Sequence, residues 1–485
     1  MQSDKPKTTL VSLSVVGDGI LAKYYHKLPS LGIAYLASSL ERAGYQVSLF
    51  DKSVSLNQKE YVVNEILSRK PDIVGFYIIT ESFHFTLDII RTLKAKHKGL
   101  KIWVGGPHVY CLPEETIAHE EIDCACVFEG EEMIVKLLDS NFDSREMAKI
   151  DGLIYKENNK IIQNKPALIK DLDSLAKPAR HLFGPLKDYR PSIVSYKKLP
   201  ATGILTSRGC ASRCTFCHSG KGELTMRYHS PEYVIDEISQ LVTDYGIKEL
   251  FFFDDTFTTN RPRVIEICET IIRNNIKISW SSMIRVTGIN KELLQLMKRA
   301  GCWLVQIGVE SGSQEVLNLM KKDIKLEQVK NVTRMAYDVG LEVKGYFIIG
   351  NAGDTVETLD KTIDLIKELP FHYASINHLT PLPGTELWET GHLYGDFEKK
   401  NYDKVNYLSD SVNYIPKGLT EEIINKKFKE AYLGFYLNPK TIFRFLKTIK
   451  SFDDIKRMLG AISLLSAMLY VKITGIIKNG TPTKS

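Results

Sequence analysis

Apolar residues in the first 150 positions fall into short β-rich runs separated by stretches with helical spacing. Residues 9 to 16 (TLVSLSVV) predict a strand, and Leu31 to Ala43 (LGIAYLASSLERA) spaces its apolar positions for a helix that stops at Gly44. Val47 to Phe50, ending at Asp51, predicts the next strand, and Ile73 to Ile79 the one after. A helix near Thr86 to Lys98 follows, then Lys101 to Val104 running into Gly105-Gly106-Pro107-His108, and Cys124 to Phe128 running into Glu129-Gly130-Glu131-Glu132. Strands alternating with helices predict a parallel, doubly wound sheet.

The pattern then breaks and restarts. Leu153 to Tyr155 and Ile161-Ile162, around Asn158-Asn159, predict a small hairpin within a linker that extends to residue 195. From Ala201, strands are expected near Gly203 to Thr206, Glu249 to Phe253, Lys277 to Ser281, Leu304 to Val309, Val343 to Ile349 and Tyr373 to Leu379. Six such β/α units predict a partial barrel. Beyond about Asp403 only helical runs remain, including Glu421 to Tyr436 and Pro439 to Thr448. The expected organisation is therefore 1–150, linker 151–195, barrel 196–402 and helical appendage 403–485.

Composition narrows the class. Of 485 residues, 44% are hydrophobic and 25% charged, which is ordinary for a globular chain and excludes collagen-like and disordered classes. Eight cysteines are too few for a disulfide scaffold, and MQSDKPKTTL has no apolar signal core, so a reducing, cytoplasmic setting is expected. The net charge of +6 is uneven: Lys417 to Ser485 holds 13 Lys and Arg against 5 Asp and Glu, leaving the first 416 residues at −2. That argues against a nucleic-acid-binding body and places any attraction to an anionic surface in the tail, although a solvated basic helical face reads the same.

In a doubly wound sheet, ligands sit beyond the carboxyl ends of the strands. The loops at Asp51, Thr80 to Ser82, Gly105 to Tyr110 and Glu129-Gly130-Glu131 should line one such crevice. None spells a phosphate-cradling glycine motif, so neither a dinucleotide nor ATP is the expected occupant.

The sharpest chemical signal is Cys210-Ala211-Ser212-Arg213-Cys214-Thr215-Phe216-Cys217, directly after the first strand of the second unit. Structural zinc commonly takes four protein ligands in two pairs, whereas His218 adjoins Cys217 and is poorly placed to complete a tetrahedron. Three thiolates on one loop can instead hold three irons of a 4Fe-4S cluster and leave the fourth open.

With this C-x3-C-x2-C run and an aromatic residue, Phe216, before its last cysteine, the chain resembles the radical S-adenosylmethionine superfamily. Further matches fall in order at expected strand ends: Phe253-Asp254-Asp255-Thr256-Phe257, Arg285, Gly308-Val309-Glu310-Ser311-Gly312, Gly345 to Gly350 and Thr380 to Thr385. The resemblance implies that Cys210, Cys214 and Cys217 hold the cluster, that Asp254 and Asp255 lie where the family contacts the methionine amine, and that Glu310 and Ser311 contact the nucleoside. Arg285 would join the same cofactor-binding set. The acidic pair departs from the superfamily's commonest Gly-Gly-Glu.

A doubly wound unit ahead of such a core looks like the superfamily's cobalamin-binding branch. The implied architecture is α/β: a Rossmann-like cobalamin-binding domain, a partial (β/α)6 radical barrel and a C-terminal helical appendage, with Gly105, Gly106, Glu129, Gly130 and Glu131 lining the cobalamin crevice. The Asp-x-His-x-x-Gly loop that supplies cobalt's lower ligand in the best-known cobalamin folds is absent; the strand-one loop reads Val16-Gly17-Asp18-Gly19-Ile20-Leu21. A base-off cofactor is therefore expected, and neither His26 nor His108 is assigned to cobalt.

Three activities follow from the resemblance. The leading one is methylation of an unactivated carbon, with a second S-adenosylmethionine regenerating the methyl donor. An alternative is ring formation, as in enzymes resembling the anaerobic oxidative cyclase of chlorophyll synthesis. The weakest is a non-catalytic cobalamin sensor. The implied partners are a small-molecule or lipid-like substrate and an electron donor such as flavodoxin or ferredoxin. Finally, Met458 to Ile477 carries only Lys472 as a charge and follows Lys447, Lys450, Lys456 and Arg457. Its composition predicts either a buried capping helix or peripheral contact with anionic membrane.

Overall fold

The computed structural model describes residues 5–16, 27–166, 168–193, 195–219, 226–399, 412–449, 454–456, 458–460 and 463. The Gly17 to His26 loop lies outside them, as does Met458 to Ile477 except for Met458, Leu459, Gly460 and Ser463. No helix among the described residues is long and apolar enough to cross a membrane.

The first sheet uses strands β1 (Thr8–Val15), β2 (Val47–Val54), β3 (Ile73–Tyr77), β4 (Lys101–Gly105) and β5 (Cys124–Cys126), followed by the hairpin β6 (Leu153–Glu157) and β7 (Lys160–Gln163). Their order is β2-β1-β3-β4-β5-β6-β7. The first five are parallel, and the hairpin adds antiparallel to β5. Helices cover both faces, which is why β1, β3 and β4 are almost continuously buried rather than alternating. The chain leaves β1 for β2 on one side and then crosses to β3 on the other, so strand order reverses between β1 and β3. A crevice opens there at the carboxyl ends.

The second sheet has strands β8 (Ala201–Ile204), β11 (Glu249–Phe252), β12 (Ser279–Ile284), β13 (Cys302–Glu310), β14 (Glu342–Ile349) and β15 (Tyr373–His378), with a two-stranded ribbon, β9 (Ser207–Arg208) and β10 (Arg227–Tyr228), inserted after β8. All six lie parallel in sequential order. Winding in one direction puts every connecting helix on one face and curls the sheet, giving the expected partial barrel. Along β14 the pleat separates Val343, Phe347 and Ile349, packed under the helices, from Lys344, Tyr346 and Ile348, which are less buried on the inner side.

Local capping fixes the helices. Ser230 accepts from Tyr233 N at 3.1 Å ahead of Pro231, and Asn290 accepts from Leu293 N at 3.0 Å, each satisfying an otherwise unpaired first-turn donor. Helix 421–436 runs back along the barrel beside β15. Ile424 packs beside Gly350 at the carboxyl end, and Tyr436 Oη donates to Ala374 O at 2.9 Å near the amino end. Helix 439–448 then lies at the barrel's base, with Phe445 against Tyr373, Trp303 and Leu304.

Candidate active site

The cysteine loop leaves the carboxyl end of β8 through Gly209, whose φ of 89° is open to glycine but costly for other residues. Cys210, Cys214 and Cys217 are free thiols of intermediate burial. The loop is held by groups other than its thiols. Thr215 N donates to Met320 O at 3.0 Å, Leu387 N donates to Thr215 O at 2.8 Å, and the Arg285 guanidinium donates to Ser212 Oγ and to Asp323 O at 3.1 Å.

Asp254, fully buried, takes up the root of the loop. It accepts from Thr206 N at 2.7 Å, Thr206 Oγ1 at 2.5 Å and Ser207 Oγ at 2.7 Å. Arg263 binds the neighbouring carbonyls of Thr206 and His229 at 2.8 and 2.7 Å. Asp255 is exposed and receives Ser219 Oγ at 3.2 Å, beside Cys217.

Burial pushes the Cys214 thiol up to about 11, with the Lys322 ammonium pulling against it. Lys322 is half-buried among Glu310, Phe216 and the cysteine loop. It donates to Glu310 Oε1 at 2.7 Å, lies 5.8 Å from the Phe216 ring, and feels Cys214 and Cys217. Glu310 stands at a register shift in β13 with φ of 67°, which turns its carboxylate to that ammonium. Ser311 is turned elsewhere: its hydroxyl meets Thr362 Oγ1 at 3.4 Å and accepts from Ser313 N, so it packs helix 356–368 against the strand end.

The structure therefore gathers Cys210, Cys214, Cys217, Asp255, Arg285 and Glu310 around one mouth, while Asp254 and Ser311 brace it from behind. Lys322 completes the group. Sequence reasoning missed it because it lies on no strand end, twelve residues past Glu310.

The first sheet's crevice opens beside this mouth. Tyr110 and Phe128, past the ends of β4 and β5, make an edge-to-face pair at 4.5 Å, and Val15 and Leu112 are partly buried against the same core. Gly106, φ 107°, lets the chain pass so close to β3 that a Cβ would strike the Ile78 backbone. Gly105 and Gly130 pack near Cys126. His108 is fully buried, stacked on Phe83 at 4.0 Å, with Nδ1 3.3 Å from Thr80 Oγ1, and burial lowers its pKa to about 3. It faces into the fold.

Glu129 and Glu131 are engaged across the domain boundary. Arg208, two residues before Cys210, donates to Glu129 Oε1 at 2.9 Å and Glu131 Oε1 at 2.6 Å, and Arg227 donates to Glu129 Oε2 at 2.7 Å. Near them Cys111 Sγ lies 3.4 Å from His218 Nε2, so the β4 loop of one sheet touches the cysteine loop of the other.

Among the described residues no group of three His, Cys, Asp or Glu side chains converges on a single-ion position. A cluster does not call for such convergence, because each thiolate serves a different iron. The adjoining cation, Lys322, suits the added negative charge, so the residues fit an iron–sulfur cluster. The apolar Tyr110–Phe128 pair fits the edge of a corrin, and Glu129 and Glu131 beside it are engaged with arginine.

Residues 204–366 match the model of the Radical SAM superfamily, and residues 17–138 that of the B12 binding domain. The chain is 34% identical over 426 residues to "Uncharacterized methyltransferase PH0819" of Pyrococcus horikoshii, covering 86% of this chain and 89% of that one. It is 27% identical to the "Anaerobic magnesium-protoporphyrin IX monomethyl ester cyclase" of Rubrivivax gelatinosus, covering 84% and 74%. The fold is shared with the "Cobalamin-dependent S-adenosylmethionine radical enzyme OxsB with aqua-cobalamin and S-adenosylmethionine bound", at a TM-score of 0.71 and 17% identity over 96% of this chain and 72% of that one.

Proposed function

We propose that this chain, which belongs to the cobalamin-dependent branch of the radical S-adenosylmethionine superfamily, transfers a methyl group to an unactivated carbon of a small-molecule substrate. It is an enzyme, and its cofactors are a 4Fe-4S cluster, S-adenosylmethionine and cobalamin. When bound, these supply hydrogen abstraction from an unactivated C–H bond and a transferable methyl group. The contact between Cys111 and His218 supports a single reaction space shared by the two strand mouths, and the likeness to the methyltransferase of Pyrococcus horikoshii carries methyl transfer as the outcome.

Within this reading, Cys210, Cys214 and Cys217 hold the cluster, and Lys322 balances its charge. Asp255, Glu310 and Arg285 border the S-adenosylmethionine site, with Asp254 and Ser311 fixing the loops behind it. Gly105, Gly106 and Gly130 shape the corrin crevice, and Glu129 and Glu131 clamp it to the cysteine loop through Arg208. The chain's own task is orientation and exclusion of water from the mouth. The domains divide at 150, 195 and 402. An external one-electron donor such as flavodoxin or ferredoxin completes the partners, with contact to a membrane surface through the C-terminal region.

Anaerobically reconstituted enzyme incubated with methyl-labelled S-adenosylmethionine and cell extract should place label in a small molecule. 5′-Deoxyadenosine without labelled product would replace methyl transfer with cyclisation, the reading favoured by the cyclase relative. Bound cobalamin should also lack a protein imidazole on cobalt, since His108 is locked against Phe83. An electron-spin spectrum with nitrogen splitting from imidazole, lost in His108→Ala or His26→Ala, would overturn the base-off assignment.

A further inference from the structure

Seven of the fifteen well-exposed large apolar side chains among the described residues lie between Leu433 and Leu459. Such crowding marks a surface that meets something other than water. Helix 439–448 explains it by inversion. It buries Thr441 and Arg444 and turns Phe445 onto Tyr373, 5.5 Å between ring centres, so its apolar residues point outward. Leu437 is 60% exposed, Ile442 44%, Phe443 57% and Leu446 51%, and Ile455 and Leu459 add to them.

Exposed Lys440 and Lys447 flank the face, with the Lys447 ammonium 4.5 Å from the Phe443 ring. The surrounding segment, Lys417 to Ser485, carries 13 basic against 5 acidic residues.

We infer that this face docks on an anionic lipid bilayer, with Leu437, Ile442, Phe443 and Leu446 entering the headgroup boundary and the lysines meeting lipid charge. Charge complementarity selects this occupant: a second copy of the chain would bring two basic segments together. The sequence continues into Met458 to Ile477, a stretch whose only charge is Lys472. This deepens the membrane contact named above and does not rest on methyl transfer.

Placement gives the inference its consequence. The helix sits under Tyr373 and Trp303, at the amino ends of β15 and β13, whereas the cysteine loop, Arg285 and Glu310 are at the carboxyl ends. A docked enzyme therefore turns its reaction mouth away from the bilayer. The contact anchors the enzyme, and substrate enters from the aqueous side rather than directly from the lipid beneath.

The test uses full-length protein and flotation on phosphatidylcholine vesicles with or without phosphatidylglycerol. Wild type should float with the anionic vesicles at low salt and be released at high salt. Phe443→Asp and Leu446→Asp should each weaken binding about tenfold or more, and the pair Lys440→Glu and Lys447→Glu should remove the preference for anionic lipid. These positions are exposed, so folding is expected to persist, checked by circular dichroism. Failure of wild type to float would overturn the inference, as would equal capture by neutral vesicles. Unchanged flotation of the Asp variants would assign binding to the tail and also overturn it. A dimer in sedimentation that Phe443→Asp dissolves, without flotation of wild type, would replace the bilayer with a second copy. None of these readouts depends on catalysis, so failure here leaves the methyl-transfer reading standing.

Discussion

Replacing Cys210, Cys214 and Cys217 together by alanine should strip the protein of cluster iron, abolish the reduced-cluster spin signal and drop S-adenosylmethionine cleavage to background, while the chain stays folded. Retained folding follows from how the loop is held. Its backbone bonds to Met320 and Leu387, and its root bonds to Asp254, do not involve a thiol. Iron loss follows because the three loop thiols are the groups assigned to the cluster, one to each of three irons. Cys111→Ser, which changes a thiol that meets His218 and is not one of the three assigned to the cluster, is the control and should keep normal iron content. Wild-type iron and an unaltered spin signal in the triple variant would remove the cluster assignment. Collapse of its circular dichroism would mean that the thiols also build the loop.

Arg208→Met should be the most damaging single change at the domain boundary. Its side chain is 13% exposed, and it satisfies Glu129 and Glu131, which are 12% and 6% exposed. Removing the cation takes this partner from both carboxylates and leaves Glu129 with Arg227 and the Ile169 amide. Breaking a buried pair from one side costs about 3–5 kcal/mol. Arg208→Lys should recover only part of it, since a single ammonium cannot fork to two carboxylates in the same geometry. Urea unfolding followed by tryptophan fluorescence measures the loss, and a change under about 0.5 kcal/mol would show that the network contributes little.

The pH dependence has a definite sign. Burial works against charge on Glu129, but the bonds and charges of Arg227 and Arg208 outweigh it and hold its carboxyl below the usual range. A carboxyl depressed on folding stabilises the native state at neutral pH, and that contribution disappears as pH falls below the ordinary glutamate value of about 4.3. Wild type should therefore lose stability on the acid side more steeply than Glu129→Gln, whose amide does not titrate there.

Much of this molecule was legible in the sequence because its signals are short-range. The strand-helix alternation, the hairpin around Asn158-Asn159 and the cysteine run all follow from periodicity or spacing within a few residues, and local backbone preference enforces them. Strand-end placement put Asp255, Arg285 and Glu310 at one mouth, since in a parallel barrel the carboxyl ends must converge.

The direction in which each side chain is spent was not legible. Asp254 and Asp255 are adjacent and chemically alike, yet the alternation of the chain at the end of β11 buries one against Thr206 and exposes the other. Glu129 and Glu131 sit where a crevice wall is expected, but their partners are Arg208 and Arg227, almost eighty and almost a hundred residues away. No periodicity encodes a pairing between two separately folded sheets.

The C-terminal helix makes the same division. Its residues indicated a helical run from Pro439 to Thr448, which the sequence alone determines because helical spacing is a local property. Only the packed barrel decided that Thr441, Arg444 and Phe445 face inward, that Phe443 and Leu446 face out, and that this face lies opposite the reaction mouth. Which face of a helix is buried depends on the shape and partners of the surface it meets, here Tyr373 and Trp303 at the barrel's base, and that surface exists only after the six strands have closed beside one another.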